Sequence, residues 1–351
     1  MMSENNIIRT VLVGLGRIGW STHLPALLAN PGFKVTAVVD PVHERLTECK
    51  NKFGISGFCT LEEALQKEQF DLAVIASPTC FHAEQTITAL NSGCHVFCDK
   101  PAAMNLQEFL QMKAAAQKNN RILTVFQPMR MDRHNLFLKG LIKSGKLGEI
   151  FLIKMTRERF SCRNDWQALR KNGGGMLLNY GSHMVDQANF LLEDTGKILT
   201  CTADRILSLG DADDVVKLLL RYGKTTVDID INQAAADTFF RYAVFGTKGC
   251  AVLPPAGHEW NLRLRDETIV NAKTLNIDFS APDRKYPADE TSFHRETILA
   301  PSVETAETYY YENLYQCLTG KENILNPLSE TEKLISMIDK ADEIAQRNCN
   351  L

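Results

Sequence analysis

Short apolar runs alternate with helical patterns over the first 127 residues of the chain. Runs such as TVLVG and DLAVIA are nearly apolar throughout, which is typical of strands buried on both faces of a parallel sheet. Longer helical patterns lie between these runs and predict crossover helices. The predicted strands are Ile8–Val13, Lys34–Val39, Leu72–Ala76, His95–Cys98 and Ile122–Phe126, and the predicted helices are Ile18–Ala29, Val42–Lys52, Leu61–Gln66, Phe81–Asn91 and Leu106–Lys118.

The pattern changes after Pro128. Apolar and polar residues alternate over 227–231 and again over 240–244, which indicates strands with one buried face in an antiparallel or mixed sheet. Residues 280–303 show no periodicity and are predicted to be a loop. The other predicted elements are a strand at Glu149–Arg157 and helices at Leu136–Lys143, Met176–Leu192, Tyr309–Leu318 and Glu330–Arg347.

The change of pattern divides the chain into two predicted domains. A length of 351 residues favours two domains, since a typical domain has roughly 150 residues. The first is an α/β domain at residues 1–127, and the second is an α+β domain at residues 128–351. The C-terminal helix at 330–347 is expected to pack back towards the first domain.

Composition and charge indicate an ordinary globular protein that is not expected to bind nucleic acid or a membrane. Hydrophobic residues make up 44% and charged residues 23%, as in ordinary globular proteins. The net charge is 39 − 42 = −3, so no excess of positive charge is present for nucleic acid or an anionic membrane. The ten cysteines form no CxxC pair. The chain shows no secretory signal and no apolar run of membrane-spanning length, so a cytoplasmic protein is expected.

A glycine fingerprint lies between the first predicted strand and helix. Gly14, Gly16 and Gly19 form G-x-G-x-x-G, with Arg17 and Ile18 inside the turn. In this context the spacing predicts a tight turn, an open path for a pyrophosphate, close helix packing and helix N-terminal amides that face the phosphates. These five residues are therefore expected to bind a dinucleotide.

Asp40 ends the second predicted strand, where a carboxylate accepts hydrogen bonds from ribose hydroxyls. Because that charge would repel a 2′-phosphate, NAD is expected rather than NADP, although Arg45 lies nearby. The alternative is a helix-capping Asp40 beside a glycine turn of another α/β protein. It is less favoured because both features coincide with the right elements.

Two further polar segments follow predicted strands at the ligand-binding edge of the sheet. Ser77, Pro78 and Thr79 come after one strand, where they would cap a helix, wall the nicotinamide, or do both. His82, one turn into the next helix, is either structural or part of the cofactor site. Lys100 comes after the following strand, where it is either an exposed loop lysine or, if desolvated, a group that exchanges a proton with a substrate hydroxyl.

A glycine-rich stretch opens the apolar helix of the second domain. Gly173 to Asp186 read GGGMLLNYGSHMVD, and helical spacing places Asn179, His183 and Gln187 in one polar stripe. Such a stripe lines a cavity or forms a satisfied buried network, and the residues alone leave both interpretations open.

Together these motifs resemble the Gfo/Idh/MocA family of oxidoreductases. The resemblance rests on the glycine fingerprint, on Asp99-Lys100-Pro101 as a version of the family's E-K-P motif, on Asp165-Trp166, and on the G-x-H-x-x-D pattern around His183. It implies a Rossmann domain followed by a domain with an open, mainly antiparallel sheet. It also implies nicotinamide-dependent redox chemistry at a sugar, polyol or similar carbon, with Lys100 as the catalytic lysine and His183 as the catalytic histidine.

The sequence departs from the family pattern in two places. Asn179 stands where the family usually has an aspartate, which removes a charge from the implied proton relay. The family's common asparagine after the sixth strand is replaced around Gln127 and Pro128. We therefore list Asn179 with Lys100 and His183 as the catalytic group and give little weight to Gln127.

No metal site is predicted. Cys94, His95 and Cys98 are close in sequence, but on a strand the histidine faces away from both cysteines. His183 and Asp186 could meet on a helix, but two ligands do not make a convincing site.

The expected function is an NAD-dependent dehydrogenase acting on a carbohydrate-like alcohol. Two alternatives stay open: a dinucleotide-binding regulator without turnover, which Asn179 favours, and transient oxidation during glycoside cleavage or epimerisation. A dimer or tetramer formed through the second domain's sheet is also expected, because that sheet has a face the first domain need not cover. The family resemblance supports this pairing.

Overall fold

The computed structural model describes residues 7–266, 284 and 292–349. Six parallel strands form the first sheet in the order β3-β2-β1-β4-β5-β6, which is the strand order of a Rossmann fold. These strands are Ile8–Val13 (β1), Phe33–Val39 (β2), Ser56–Phe58 (β3), Leu72–Ile75 (β4), His95–Cys98 (β5) and Leu123–Val125 (β6). The helices that cover the sheet are Leu24–Ala29 (α1), His43–Phe53 (α2), Leu61–Lys67 (α3), His82–Asn91 (α4) and Leu106–Lys118 (α5).

The apolar runs form the predicted strands because both faces of this sheet are buried. All four residues of β4 are fully buried between the helix layers. The edge strand β3 was not predicted, since its three residues SGF include a glycine and carry no apolar run. The predicted helix at 18–29 begins instead with a π-helical turn at Gly19–His23 before α1.

Eight strands form the second sheet, in the order β14-β13-β12-β11-β7-β10-β9-β8. All neighbours are antiparallel except β7 and β10, so the predicted α/β class with an open, mainly antiparallel second sheet is confirmed. The strands are Ile150–Glu158 (β7), Lys197–Asp204 (β8), Val215–Tyr222 (β9), Thr225–Asn232 (β10), Tyr242–Gly246 (β11), Gly249–Leu253 (β12), Glu259–Arg265 (β13) and Phe293–Leu299 (β14).

The strand β14 corrects the prediction of a loop at 280–303. Residues 293–299 pair antiparallel with β13 at the edge of the sheet, and 292 and 300–303 carry no helix or strand. Five of the seven β14 residues are exposed, so apolar and polar positions do not alternate as they do on a half-buried strand. The remainder of the predicted loop, apart from 284, lies outside the described residues.

Helices pack against one face of the second sheet and return to the first. Arg133–Lys143 (α6) and Ser182–Leu192 (α7) share a hydrophobic core with the buried residues of β7, β9 and β10. Ala306–Leu318 (α8) buries Tyr311 and Leu314 in the core of the first sheet. Leu328–Cys349 (α9) contributes buried residues to the cores of both sheets.

The helix α9 therefore contacts the cores of both sheets. Asp339 accepts a hydrogen bond from the backbone N–H of Leu106 at the start of α5, at 2.7 Å. Glu332 pairs with Lys113 on the same helix, at 2.5 Å. Over the described part of the chain, none of the helices has the length and apolar character needed to span a bilayer.

Candidate active site

The glycine turn after β1 is built from two packing glycines and one open position. Gly14 has φ +96°, and a Cβ there would lie 2.7 Å from the carbonyl carbon of Ala76. A Cβ on Gly19 would lie 1.8 Å from the carbonyl oxygen of Gly14. By contrast, a Cβ on Gly16 would have no atom within 4 Å. Free space therefore lies in front of Gly16, where a pyrophosphate could approach the backbone.

Asp40 is held beside this turn by the backbone. Its buried carboxylate accepts hydrogen bonds from the N–H of Leu15 at 2.8 Å and the N–H of Val42 at 2.9 Å. The guanidinium of Arg45 lies 3.2 Å from the same carboxylate. A carboxylate has about four lone-pair sites, and a second Arg45 contact at 3.4 Å occupies the last of them, so a ribose hydroxyl could bind here by displacing the exposed Arg45 side chain. The turn and Asp40 together fit a dinucleotide, and Arg17 (exposed) and Ile18 (half-buried) lie within the turn.

Ser77, Pro78 and Thr79 lie between β4 and α4, as predicted. Ser77 donates to the side chain of Gln85 on α4 at 2.6 Å. Thr79 is buried, and the space beside it is so tight that a Cβ on Gly173 would lie 2.6 Å from the Thr79 Cβ. The glycine-rich stretch of the second domain therefore packs directly on this loop of the first.

His82 connects two loops of the first domain. Its Nε2 lies 2.8 Å from the carbonyl oxygen of Ser77, and its Nδ1 lies 2.8 Å from that of Pro101. Burial lowers the pKa of His82, and hydrogen bonds to these carbonyls oppose the shift. The ring is thus placed to fix the β4 and β5 loops relative to each other, next to Lys100.

Lys100 follows β5 and contacts Asn179 of the second domain. Its Nζ donates to Oδ1 of Asn179 at 2.7 Å, and the backbone oxygen of Asn179 is 3.4 Å away. Burial lowers the pKa of Lys100, while the neighbouring Asp99 opposes this shift. Burial also raises the pKa of Asp99 to about 6, against the opposing charge of Lys100. The sequence-predicted lysine and asparagine are therefore brought together across the two domains.

His183 lies on α7, close to the same lysine. The histidine is buried, and its Nδ1 has no hydrogen-bond partner among the described residues. Burial lowers the pKa of His183 well below its usual value, and the charges of Lys100 and Arg157 lower it further. The imidazole is therefore neutral at pH 7, which suits a group that accepts a proton.

The predicted polar stripe is interrupted by a second π-helical turn, at Leu177–Gly181. Asn179 lies inside that turn, and its Nδ2 donates to Oε1 of Gln167 at 3.3 Å. One α-helical turn beyond His183, Gln187 donates to the hydroxyl of Tyr242 at 2.9 Å. Asn179 and Gln187 therefore have separate partners.

Asp186 and Gln127 have positions outside this cluster. Asp186 forms two hydrogen bonds with Arg130, at 2.6 and 2.8 Å, so it joins α7 to the segment after β6. The backbone oxygen of Gln127 accepts a hydrogen bond from Tyr310 at 3.1 Å, and its side-chain oxygen is buried without a partner in the described structure. Across residues 7–266, 284 and 292–349, no group of three or more His, Cys, Asp or Glu side chains could hold a metal ion.

Sequence analysis did not single out Tyr180 and Arg157. The guanidinium of Arg157 lies 4.9 Å from the Tyr180 ring centroid, and its Nη2 donates to the Tyr180 hydroxyl at 3.2 Å. The ring of Tyr180 is in turn 6.0 Å from that of His183 and 6.0 Å from Nζ of Lys100. The available signals were the position of Arg157 at the end of a predicted strand and the position of Tyr180 directly after Asn179 in the glycine-rich stretch.

Two family models match most of the chain. The GFO/IDH/MocA model described as "Oxidoreductase family, NAD-binding Rossmann fold" matches residues 8–127. The model of the GFO/IDH/MocA C-terminal domain matches residues 136–252. These ranges correspond to the first sheet with its helices and to α6 through β12.

Individual relatives are similar over large parts of their length. Myo-inositol 2-dehydrogenase of Thermotoga maritima is 27% identical, over 69% of this chain and 74% of its own. The scyllo-inositol 2-dehydrogenase (NADP(+)) IolW of Bacillus subtilis is 23% identical, over 96% of this chain and 93% of its own. The crystal structure of the WlbA dehydrogenase from Bordetella pertussis, in complex with NADH and UDP-GlcNAcA, superposes with a TM-score of 0.77 at 19% identity, covering 97% of each chain. This last similarity concerns the fold.

Proposed function

The chain belongs to the GFO/IDH/MocA family of oxidoreductases, and on that premise we propose that it is an NAD-dependent dehydrogenase or reductase. Its proposed substrate is a sugar, a polyol or a related hydroxy compound that reacts at a CH–OH group. The contact that carries this proposal is the one between Lys100 and Asn179, 2.7 Å apart at the tip of β5. The inositol dehydrogenases among the relatives support the substrate class.

The glycine turn and Asp40 are proposed to hold the dinucleotide. A bound nicotinamide would supply the acceptor for the hydride that leaves the carbinol carbon when the alcohol is oxidised to a carbonyl compound. The open position at Gly16 and the carboxylate beside it support this assignment. NAD is preferred over NADP because the Asp40 carboxylate would repel a 2′-phosphate. The proposed cofactor-binding residues are Gly14, Gly16, Arg17, Ile18, Gly19, Asp40, Ser77, Pro78, Thr79, His82 and Lys100.

Lys100 and His183 are proposed to handle the hydroxyl proton. During oxidation the O–H proton leaves the substrate oxygen for one of these two side chains, and during reduction it returns. Burial lowers the pKa of both residues, which increases the fraction that is uncharged and able to accept a proton. Asn179 holds the lysine amine through its amide oxygen and leaves its charge unneutralised.

The test begins with the purified protein and its own cofactor. Mass spectrometry of the nucleotide released on denaturation identifies the cofactor, and nicotinamide absorbance is then followed with NAD⁺ or NADH across polyols, sugars and sugar acids. We expect retained NAD(H) and an absorbance change with at least one of these compounds. Retained nucleotide without an absorbance change or product would favour the regulator. A rearranged or cleaved product without accumulated NADH would favour transient oxidation.

A further inference from the structure

Positive charge accumulates near the Lys100–Asn179 contact. Arg157 ends the core-facing row of β7, and Arg159 and Arg163 follow it in the chain. Arg163 is neutralised by Asp165, whose Oδ1 lies 3.0 Å from its Nε. Within the described ranges, neither Arg157 nor Arg159 forms an ion pair with an acidic side chain. Since Asn179 is neutral, Lys100 receives no negative charge from the side chain that holds its Nζ.

Arg157 is the member of this group closest to the candidate catalytic residues. It lies opposite Ile231 on β10 and two residues beyond the buried Met155, on the face of the sheet that carries the core. Its partner is the Tyr180 hydroxyl, at 3.2 Å. The Nε of Arg157 is buried and has no hydrogen-bond partner in the described structure. The side chain as a whole is half-buried, and no carboxylate in the described structure balances its charge, so an anion bound there would be favourable.

The chain pairs a buried arginine differently where the role is structural. Arg130 is buried, and it forms two hydrogen bonds with Asp186, at 2.6 and 2.8 Å. A third hydrogen bond, at 2.5 Å, joins Arg130 to Glu330. Two carboxylates thus satisfy that guanidinium inside the fold. Arg157 has a phenol and an aromatic face instead, which leaves it able to bind an incoming anion.

The electrostatic environment of Tyr180 agrees with this unpaired charge. Burial acts to raise the pKa of its phenol, but the hydrogen bond from Arg157 and the charges of Arg157, Lys100 and Arg159 lower it overall. Arg157 and Lys100 both lie within 6.0 Å of the Tyr180 ring centroid. One sugar-sized molecule could therefore contact both cations.

We propose that the substrate is an anionic hydroxy compound, whose carboxylate or phosphate group binds Arg157 while its reacting hydroxyl lies at Lys100 and His183. This inference rests on the proposed function, because it assigns the substrate class of the same site. A guanidinium forms bidentate hydrogen bonds with either oxyanion, so the shared chemistry is that of a negatively charged planar or tetrahedral group. Arg157 then determines specificity, and the proton transfer is left to Lys100 and His183.

The experiment measures binding to the NADH-loaded protein, so it does not depend on turnover. Titration calorimetry compares matched sets of ligands: glucose, glucuronate and glucose 6-phosphate, then myo-inositol and myo-inositol 1-phosphate. We expect at least one anionic member to bind about tenfold or more tightly than its neutral counterpart. Arg157→Gln should lower the affinity for that ligand by about tenfold to a hundredfold and leave the affinities for neutral ligands unchanged. Arg157→Lys should lose less affinity than Arg157→Gln.

Arg221→Gln is the matched control, since Arg221 is an exposed arginine of β9 that bonds Gly223 and Thr226. It should leave all affinities unchanged. NADH affinity measured on Arg157→Gln checks that the cofactor site is intact.

The proposal is overturned if no anionic compound binds more tightly than its neutral counterpart, or if Arg157→Gln lowers the affinities for neutral and anionic ligands equally. A preference for anions without NADH consumption or formation would contradict the proposed function alone. Comparison of glucuronate with the two phosphate esters shows whether the site prefers a sugar acid or a phosphate ester.

Discussion

Lys100 combines two residue-scale features that adjust a lysine for proton transfer. Burial lowers its pKa, and the residue that holds its Nζ, Asn179, is an uncharged amide at 2.7 Å. An aspartate at this position would stabilise the ammonium form instead. The neutral partner therefore keeps the lysine closer to the uncharged form that accepts a substrate proton near neutral pH.

Changing Asn179→Asp should move the acid limb of the pH–rate profile for oxidation to higher pH by about one unit or more. The new carboxylate would raise the pKa of Lys100, and the lysine must lose its proton before it can accept one from the substrate. The measurement is kcat/KM against pH. Asn51→Asp, on the exposed surface of α2, is the control and should leave the profile unchanged. Coincident acid limbs for Asn179→Asp and the unaltered protein would separate this amide from proton transfer.

Removing the amine itself should have a larger effect. Lys100→Met keeps an unbranched side chain of similar length but cannot carry a proton, so we expect kcat to fall by about a hundredfold to ten-thousandfold. Binding of NADH, measured by fluorescence titration, should stay within a few fold, because the glycine turn and Asp40 are unchanged. Full turnover by this variant would remove Lys100 from the reaction.

Asp40 determines the expected choice between the two nicotinamide dinucleotides. Its carboxylate is fixed by two backbone N–H groups at 2.8 and 2.9 Å, with Arg45 at 3.2 Å. Replacing Asp40 by Ala removes the repulsion of a 2′-phosphate while Arg45 stays, so the preference for NADH over NADPH should decrease at least about tenfold. Parallel titrations with NADH and NADPH measure it. Tighter binding of NADPH to the unaltered protein would show that the ribose assignment is wrong.

At the scale of elements, a π-helical turn occurs both at the proposed dinucleotide site and at the proposed catalytic residues. One, Gly19–His23, follows the glycine turn, and the other, Leu177–Gly181, contains Asn179 and Tyr180. Such turns are rare and frequently occur at functional sites. Each directly precedes an α-helix, so the wider turn reorients the residues it contains relative to the helix that continues.

The sequence predicted the elements in which burial follows a regular pattern along the chain. The β4 strand and residues 11–13 of β1 are apolar because both faces are buried there, and α9 shows a regular apolar stripe. It did not predict β14, whose exposed residues depend on pairing with β13. It placed Asn179 and Gln187 in one stripe, because α-helical spacing does not reveal a π turn.

The residues of the candidate site were predictable from local motifs, but the contacts between them were not. The sequence identified Lys100, Asn179 and His183 through motifs, but the 2.7 Å contact between Lys100 and Asn179 joins residues 79 positions apart. Arg157 has no motif, and Tyr180 lies inside the glycine-rich stretch without a role of its own there. Their contact depends on how β7 packs against the turn before α7. Contacts between elements of this kind arise from tertiary packing, which local periodicity does not encode.

Two glycines of the turn after β1 allow its role in packing to be separated from its role in cofactor binding. Gly16→Ala should change the free energy of unfolding little, since no atom lies within 4 Å of the added Cβ, but should weaken NADH binding by filling the proposed pyrophosphate path. Gly19→Ala should destabilise the protein by at least about 1–3 kcal/mol, because its Cβ would overlap the Gly14 carbonyl oxygen. Urea unfolding and NADH titration separate the two effects. Equal stability of both variants would contradict this division of roles.

At the scale of the whole molecule, the two sheets are covered unequally. Within residues 7–266, 284 and 292–349, helices cover both faces of the first sheet, but α6, α7 and α9 pack on one face of the second sheet. The opposite face carries half-buried residues of several strands. Leu152 on β7, Phe245 on β11 and Cys250 on β12 are neighbours across three adjacent strands of this face.

We expect this face to join two copies of the chain, so the unaltered protein at micromolar concentration should have at least twice the monomer mass by light scattering. A stable interface buries about 1,200–2,000 Å² in total, which an open eight-stranded sheet can supply. Phe245→Glu places a charge among Leu152 and Cys250 and should lower the mass to that of a monomer, because a desolvated unpaired charge opposes association. Leu209→Glu, at a residue that is 74% exposed outside the sheet, is the control and should leave the mass unchanged. A monomeric unaltered protein, or an unchanged mass for Phe245→Glu, would exclude this face as the interface.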